Sequence, residues 1–166
     1  MIILGIDPGT AATGYGLIKM EKGTTRIISW GCIKTRAKVA PGLRLQTIYR
    51  ELSKIIKKFK PDVAVIEELF FSQNVKTALS VGQARGVALL VATDGGLEIG
   101  EYTPLEVKLA LTGYGRAQKR QVQEMVKKIL KMKEIPKPDD AADALAIALC
   151  YAHSYELNRK IKKARE

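Results

Sequence analysis

The first ten residues, Met1-Ile-Ile-Leu-Gly-Ile-Asp-Pro-Gly-Thr10, decide which fold is expected for the rest of the chain. The apolar run from Ile2 to Ile6 is typical of a strand that is buried on both faces of a sheet. Pro8 cannot donate to a central ladder, so the strand is predicted to end at Asp7, where the sheet opens to solvent. A single carboxylate in that position fits a turn-forming residue, a phosphate-binding loop or a metal ligand.

Length and composition predict one globular domain. The chain has 166 residues, of which 46% are hydrophobic and 27% are charged. Its two cysteines, Cys32 and Cys150, lie far apart and outside any metal-binding spacing. No apolar run is long enough for a membrane span, and the N-terminus lacks the features of a secretory signal. We therefore expect a reduced, cytoplasmic protein without a membrane partner.

The net charge predicts a polyanionic partner. Lys and Arg total 28 against 17 Asp and Glu, which gives +11. Residues 104–133 carry eight basic and two acidic residues, and residues 154–166 carry five and two. Basic side chains release condensed counterions when they bind phosphates, so nucleic acid is the favoured partner. The alternative is a basic surface that serves solubility.

Hydrophobic periodicity predicts an α/β fold with a mixed sheet. The expected strands are the opening run, 13–20, 24–33, 63–66 and 97–102. The expected helices are 43–59, one ending near Thr93, a short helix from Pro104 capped by Thr103, one around Val122 to Leu130, and one over 139–152. Residues 69–74 are expected to form an exposed loop or the start of a helix that runs through Ala78 and Leu79. The domain is predicted to cover 1–153, followed by a basic tail over 154–166 that frays.

Four acids could form one site. Asp7 and Glu67 each follow a buried strand, and they would share one sheet edge if those strands were parallel neighbours. Asp140 and Asp143 lie three residues apart at the start of an apolar helix, which places them on one helix face. Each acid has a simpler explanation: Asp7 could form an Asx-turn, Asp139 or Asp140 could be a helix N-cap, and Glu68 competes with Glu67.

Converging carboxylates favour a particular chemistry. They repel one another unless cations lie between them, and oxygen-only ligand sets are those that Mg²⁺ and Mn²⁺ prefer. Two such ions can activate a water and stabilise the leaving oxygen of a phosphodiester. An acidic cleft within a basic protein therefore suggests a metal-dependent nuclease. The single histidine, His153, is expected at the surface or in packing rather than as a ligand.

Five motifs in order resemble the RuvC family of Holliday-junction resolvases, the crossover junction endodeoxyribonucleases. They are Gly5-Ile-Asp-Pro-Gly-Thr10, Gly14-Tyr-Gly16, Ile66-Glu67, Gly82-Gln-Ala-Arg-Gly86 and Asp140-Ala-Ala-Asp-Ala-Leu-Ala146. The resemblance spans about residues 1 to 153. The first motif alone is also similar to the phosphate loop of actin-like ATPases and sugar kinases, which need two such domains and a far longer chain. The two glycines of the fourth motif have a plainer explanation, because small residues four apart allow close helix packing.

The resemblance implies an RNase H-like fold, with a five-stranded mixed sheet flanked by helices, and a homodimer. It implies Mg²⁺-dependent, symmetric nicking of paired strands in four-way junction DNA during recombination and repair, leaving a 5′-phosphate and a 3′-hydroxyl. Mn²⁺ would be a plausible substitute, with one or two ions per subunit. A branch-migration motor complex is a further partner that follows from the family alone.

The resemblance also assigns individual residues. Asp7, Glu67, Asp140 and Asp143 match the catalytic, metal-binding acids, which favours Glu67 over Glu68. Lys108 and Lys119 match basic positions that contact phosphate or stabilise transition-state charge, and Lys119 is expected to be catalytic. Phe70 matches an aromatic residue that stacks on junction bases, although a core or dimer-interface position is its alternative. Arg116 and Arg120 are expected to add DNA contacts.

Three other functions stay open at this point. One is an RNase H-like nuclease that acts on RNA–DNA hybrids or single strands, and another is a non-catalytic junction-binding protein whose acids are structural. The third is an actin-like nucleotide-binding protein. Substrate competition, metal-dependent product formation and stabilisation by ATP would distinguish them.

Overall fold

The computed structural model describes residues 1–68 and 75–165, which form five strands and five helices. The strands are β1 (Ile2–Asp7), β2 (Ala12–Glu21), β3 (Thr24–Lys34), β4 (Val63–Glu67) and β5 (Glu98–Tyr102). The helices are α1 (Pro41–Phe59), α2 (Val75–Asp94), α3 (Pro104–Thr112), α4 (Lys119–Ile129) and α5 (Asp139–Arg165). The loop predicted over 69–74, which includes Phe70, lies outside the described residues.

The strands form one mixed sheet in the order β3-β2-β1-β4-β5. β1 pairs antiparallel with β2 and parallel with β4, and β4 pairs parallel with β5. The predicted mixed sheet is therefore confirmed. Because β1 and β4 are parallel neighbours, their carboxyl ends meet at the same edge. This is the condition under which Asp7 and Glu67 were expected to share one sheet edge.

Helices cover both faces of the sheet, which explains the uninterrupted apolar sequence of β1. Ile3 faces a core shared with α3, α4 and α5. Leu4 and Ile6 face a second core shared with α1 and α2. All three side chains are fully buried, so every position of the strand needs an apolar residue or glycine.

The helix α5 lies directly on β1 and β2 because these strands carry glycines at the contact. A Cβ on Gly5 would overlap the carbonyl oxygen of Ala144, and one on Gly14 would overlap that of Asp140. The first half of α5 is rich in alanine, so its backbone also approaches closely. This approach brings the N-terminus of α5 to the sheet edge at which β1 ends.

Two predicted helix boundaries were wrong. α5 continues to Arg165 rather than ending near Ala152, since the segment contains no Gly or Pro to stop it. The rings of Tyr151 and Tyr155 stack across one of its turns with centroids 6.2 Å apart. α4 begins at Lys119, so Lys119 and Arg120 form its first turn instead of preceding it. Fraying of residues 154–166 stays a prediction.

The predicted cap of α3 is confirmed. Thr103 caps α3: its hydroxyl accepts from the Glu106 N–H at 3.2 Å, and its own N–H donates to the Glu106 carboxylate at 2.8 Å.

Close packing within the chain does not explain Gly86, because a Cβ there would meet nothing within 4 Å. Of the helices in the described ranges, none combines the length and apolar character needed to cross a membrane.

The first prediction concerns the contact between α5 and the sheet. Gly5→Ala should lower the free energy of unfolding by at least about 2 kcal/mol, because the added methyl group forces α5 away from β1. Gly42→Ala is the matched control, since position 42 lies in α1 with no atom within 4 Å of an added Cβ. The control should be neutral or stabilising by up to about 1 kcal/mol. Urea denaturation measures both, and equal effects of the two substitutions would contradict the proposed contact.

Candidate active site

Asp7 and Glu67 are the last residues of β1 and β4. Ile6 lies opposite Ile66 in the parallel ladder, so the next residues on each strand are also neighbours. Side chains alternate along a strand, and Gly5 and Val65 face α5. Asp7 and Glu67 therefore project to the same face, towards α5, as the sequence predicted.

The N-terminus of α5 adds the two other predicted acids. Asp140 stands over Gly14 in β2, and the Cys32 thiol donates to its carboxylate at 3.8 Å. Asp143 follows one turn later. Asp139 instead accepts from the Gln123 amide at 3.2 Å, and that contact ties it to α4. Asp139 is thus hydrogen-bonded to α4, and Asp140 is the acid of this pair that stands over β2.

The pKa shifts show that these acids share one electrostatic environment. Burial raises the pKa of Asp7 to about 7, and the negative charges of Glu67, Asp143 and Asp140 add to the rise. Burial and Asp143 raise the pKa of Glu67 as well. Burial also raises the pKa of Asp143, although Lys119 acts against it. Placing these carboxylates together is therefore unfavourable unless positive charge is added.

Lys119 supplies such a charge. Its Nζ lies 2.8 Å from Asp143 Oδ2 and 3.6 Å from Asp139 Oδ2. Burial alone would lower the pKa of Lys119, but the hydrogen bond and charge of Asp143 raise it. A cation in the first turn of a helix opposes the helix dipole, so the position is not chosen for the stability of α4. Its nearest ion-pair partner is Asp143 on α5.

Of the other predicted DNA-binding residues, Arg116, Arg120 and Lys108 lie within the described part of the chain. Arg116 and Arg120 are exposed on the segment that carries Lys119, and Arg120 pairs with Glu124 at 3.2 Å. Lys108 is half-buried on α3, and no contact described in 1–68 or 75–165 joins its side chain to the four acids. Phe70 lies outside the described residues, so its role stays a prediction.

Sequence reasoning missed two contacts that reach this edge from α2. The Nε of Arg85 donates to the main-chain carbonyl of Glu67 at 3.2 Å, and its NH2 group lies 2.7 Å from Glu101 Oε1. The hydroxyls of Thr10 and Ser80 are hydrogen-bonded at 2.6 Å. The only signal in the sequence was the motif Gly82-Gln-Ala-Arg-Gly86, for which packing of the glycines was the plain explanation.

The four acids fit a hard divalent cation by their chemistry. All four offer carboxylate oxygens, and such ligands suit Mg²⁺ or Mn²⁺. The raised pKa values of Asp7, Glu67 and Asp143, to which neighbouring acids contribute, indicate that these three face a common region. In the described part of the chain, however, no group of three His, Cys, Asp or Glu side chains is arranged to hold a metal ion, and Asp143 is turned to Lys119. The metal-binding and catalytic roles therefore stay predictions.

Fold and site together define a class. A five-stranded mixed sheet in this order, with helices on both faces, is the RNase H-like fold. Carboxylates at the edge shared by its parallel central strands, beside exposed basic residues, are the features expected of a nuclease of that class. The fold prediction is confirmed.

Comparison with known proteins identifies the family. The family model described as "Crossover junction endodeoxyribonuclease RuvC" matches residues 3–151. The protein of that name from Pelotomaculum thermopropionicum is 53% identical over 162 residues, which cover 98% of this chain and 99% of that protein. The chain therefore belongs to the RuvC family, as its motifs indicated.

Solved structures agree with this assignment. Thermus thermophilus RuvC superposes with a TM-score of 0.88 at 36% identity, covering 95% of this chain and 97% of that chain. The T. thermophilus RuvC solved in complex with a Holliday junction substrate gives 0.87 at 33% identity, covering 95% and 96%.

The second prediction follows from the raised pKa of Asp7. An unfolded aspartate titrates near its ordinary value of 3.8, whereas the folded group titrates at about 7. The folded protein therefore loses stability as pH rises through this interval, and the loss is complete above it. Asp7→Asn should raise the free energy of unfolding by about 1–3 kcal/mol at pH 8 without divalent cations, and by little near pH 4.

Denaturation curves at pH 4, 6 and 8 measure this difference. Glu51→Gln is the control, because Glu51 is exposed on α1 and pairs only with Lys54 among the described contacts. It should change stability by less than about 0.5 kcal/mol at each pH. A destabilised Asp7→Asn protein at pH 8 would contradict the electrostatic cost assigned to Asp7.

Proposed function

We propose that this protein is a divalent-metal-dependent endodeoxyribonuclease that resolves four-way Holliday junctions by symmetric nicking of paired strands in recombination and repair. One observation carries the proposal: Asp7 and Glu67 share a sheet edge beneath Asp140 and Asp143 of α5, and the pKa of Asp7 is raised to about 7. Membership of the RuvC family supports the DNA substrate. So does the likeness to a RuvC solved with a Holliday junction substrate.

The reaction is hydrolysis of a phosphodiester. Asp7, Glu67, Asp140 and Asp143 would hold Mg²⁺ or Mn²⁺, one or two ions per subunit, and bound ions of this kind would supply activation of the attacking water and stabilisation of the leaving oxygen. Water adds to phosphorus and the bond to the 3′ oxygen breaks, leaving a 5′-phosphate and a 3′-hydroxyl that can be religated. Lys119 lies at the rim of this edge with Asp143 as its anchor, so its ammonium can neutralise charge on the reacting phosphate.

Basic residues beside the acids would hold the DNA backbone. Arg116, Lys119 and Arg120 lie on one exposed segment at the start of α4, and Lys108 lies on α3. Such contacts release counterions and position the substrate without reading its sequence. Phe70, three residues after Glu67, would stack on bases opened at the junction centre. The nuclease domain would span 1–153, and no site residue is assigned to the basic tail over 154–166.

A homodimer fits the outer face of α2. Its exposed residues recur with the spacing of a helix–helix seam, and they are Leu79, Gln83, Gly86, Leu90 and Thr93. Leu79 is 66% exposed and Leu90 53% exposed, while Gly86 between them leaves room for close backbone approach. A second copy of this chain can cover the stripe about a two-fold axis, which would place two sites on a symmetric junction.

Two further expectations depend on this function. A resolvase works on DNA in the bacterial cytoplasm, which is where we place this protein. A branch-migration motor complex would be a natural partner, because it generates and moves the four-way junction that the nuclease cuts.

The third prediction tests catalysis. Asp7→Asn should reduce Mg²⁺-dependent cleavage of a synthetic four-way junction by at least about 10³-fold, since it removes a ligand charge from the reacting centre. Junction binding in EDTA should be unchanged or slightly tighter, because a negative charge is lost. Denaturing gels measure cleavage and mobility shift measures binding, with Glu51→Gln as the exposed control.

Competition separates the alternative functions. Excess duplex, single strand or RNA–DNA hybrid should leave junction cleavage almost unaffected at equal nucleotide concentration. Preferential cutting of the hybrid would instead favour the other type of RNase H-like nuclease. Binding without any metal-dependent product from the wild type would favour a junction-binding protein, and the nuclease proposal would then be rejected.

The fourth prediction tests the dimer. Leu90→Lys should convert the dimer to a monomer in light scattering at micromolar concentration, because it replaces an exposed apolar residue of the proposed interface by a charge. Leu43→Lys is the control: Leu43 is 57% exposed on α1, away from that stripe. A Leu90→Lys protein that stays dimeric would show that another surface forms the interface.

A further inference from the structure

The ladder between β1 and β4 lacks a donor at the end where the acids lie. The N–H of Glu68 donates to the Tyr102 carbonyl at 2.9 Å, so the main chain of Glu68 faces β5. Main-chain groups alternate sides along a strand, and those of Glu67 therefore face β1. In a parallel ladder, the Glu67 carbonyl would accept from the residue that follows its partner Asp7. That residue is Pro8, which has no N–H.

Arg85 donates to this carbonyl from α2. Its Nε lies 3.2 Å from the Glu67 oxygen, and its NH2 group is held by Glu101 at 2.7 Å. Glu101 lies on β5 opposite Ile66, so the guanidinium is fixed on the strand that flanks β4. The Arg85 side chain is only 20% exposed, which limits its freedom to leave the contact.

The same helix also holds the turn that follows β1. Ser80 is hydrogen-bonded to Thr10 at 2.6 Å, three residues beyond Asp7. The buried Thr13 hydroxyl donates to the Gly9 carbonyl at 2.7 Å and closes that turn. Through Ser80 and Arg85, α2 thus contacts both strand ends that carry the central pair of acids.

We propose that Arg85 is a positioning residue for the metal site. It supplies the hydrogen bond that Pro8 cannot make, and so fixes the peptide of Glu67 relative to Asp7. Without this hydrogen bond, Glu67 at the end of β4 is held only by its own main-chain N–H and by the pairing of β4 with β5. The Glu67 carboxylate then moves with its peptide group. The proposal rests on the proposed function in taking Glu67 as a metal ligand.

The fifth prediction concerns metal affinity. Arg85→Met keeps the length and apolar stem of the side chain but removes every donor. Mn²⁺ affinity, measured by calorimetry on the full chain, should fall about 10-fold, and the Mg²⁺ concentration for half-maximal junction cleavage should rise in parallel. Junction affinity in EDTA should stay unchanged, because Arg85 acts on Glu67 and not on DNA.

Glu101→Gln is the matched control. It removes the ion pair but leaves the guanidinium beside the Glu67 carbonyl, so Mn²⁺ affinity should fall by less than about threefold. An Arg85→Met protein with wild-type Mn²⁺ affinity would overturn the proposal. So would equal losses in Arg85→Met and Glu101→Gln, since the ion pair alone would then account for the effect.

A second substitution tests the mechanism itself. Pro8→Ala restores an N–H on β1 opposite the Glu67 carbonyl, and in the Arg85→Met background it should recover about threefold of the lost Mn²⁺ affinity. Simple additivity of the two substitutions would contradict the missing-donor explanation. If Arg85→Met does not fold, Arg85→Lys serves instead, because a single ammonium cannot make both contacts in the same geometry.

The readouts separate this proposal from the proposed function. A wild-type protein that binds Mn²⁺ but cuts no junction would refute the nuclease assignment, while the Arg85→Met measurement would still decide the role of Arg85. A wild-type protein that binds no divalent cation would overturn both.

Discussion

The contact between α5 and the two strands beneath it determines where the four candidate acids lie. Gly5 and Gly14 leave no side chain between the helix and the sheet, so the backbone of α5 rests on β1 and β2. The first turn of the helix then reaches the edge at which β1 and β4 end. A larger residue at either glycine would lift the helix and separate Asp140 and Asp143 from Asp7. Packing and site geometry therefore depend on the same absent methyl groups.

The charges around this edge are arranged unfavourably for the stability of the folded chain. Burial and mutual repulsion raise the pKa of Asp7, and Lys119 stands at a helix end where a cation is unfavourable for the helix. Taken by itself, each of these arrangements lowers the stability of the folded chain. Together they place the Lys119 ammonium beside the carboxylate of Asp143. Departures from local rules of this kind are expected where function, and not folding, selects the residues.

The helix α2 combines two roles on its two sides. Its outer side presents Leu79 and Leu90, which suit a second copy of the chain. On its inner side, Ser80 and Arg85 contact the ends of β1 and β4. The helix α2 thus connects the proposed dimer interface with the proposed metal site. The pairing of two subunits and the position of Glu67 therefore depend on the same helix.

The sequence by itself determined the fold class and the order of most elements, and it predicted a candidate site of four acids, because hydrophobic period and strand-end carboxylates are local signals. The family motifs then chose Glu67 over Glu68, which spacing could not do. Only the tertiary structure decided that Gln123 donates to Asp139 and that Arg85 reaches Glu67. These contacts join residues 16 and 18 positions apart, and no hydrophobic period in the sequence indicates them. Pro8, directly after β1, has no N–H that could donate to the neighbouring strand. The pairing of β1 with β4 is needed to see that the Glu67 carbonyl lacks this donor.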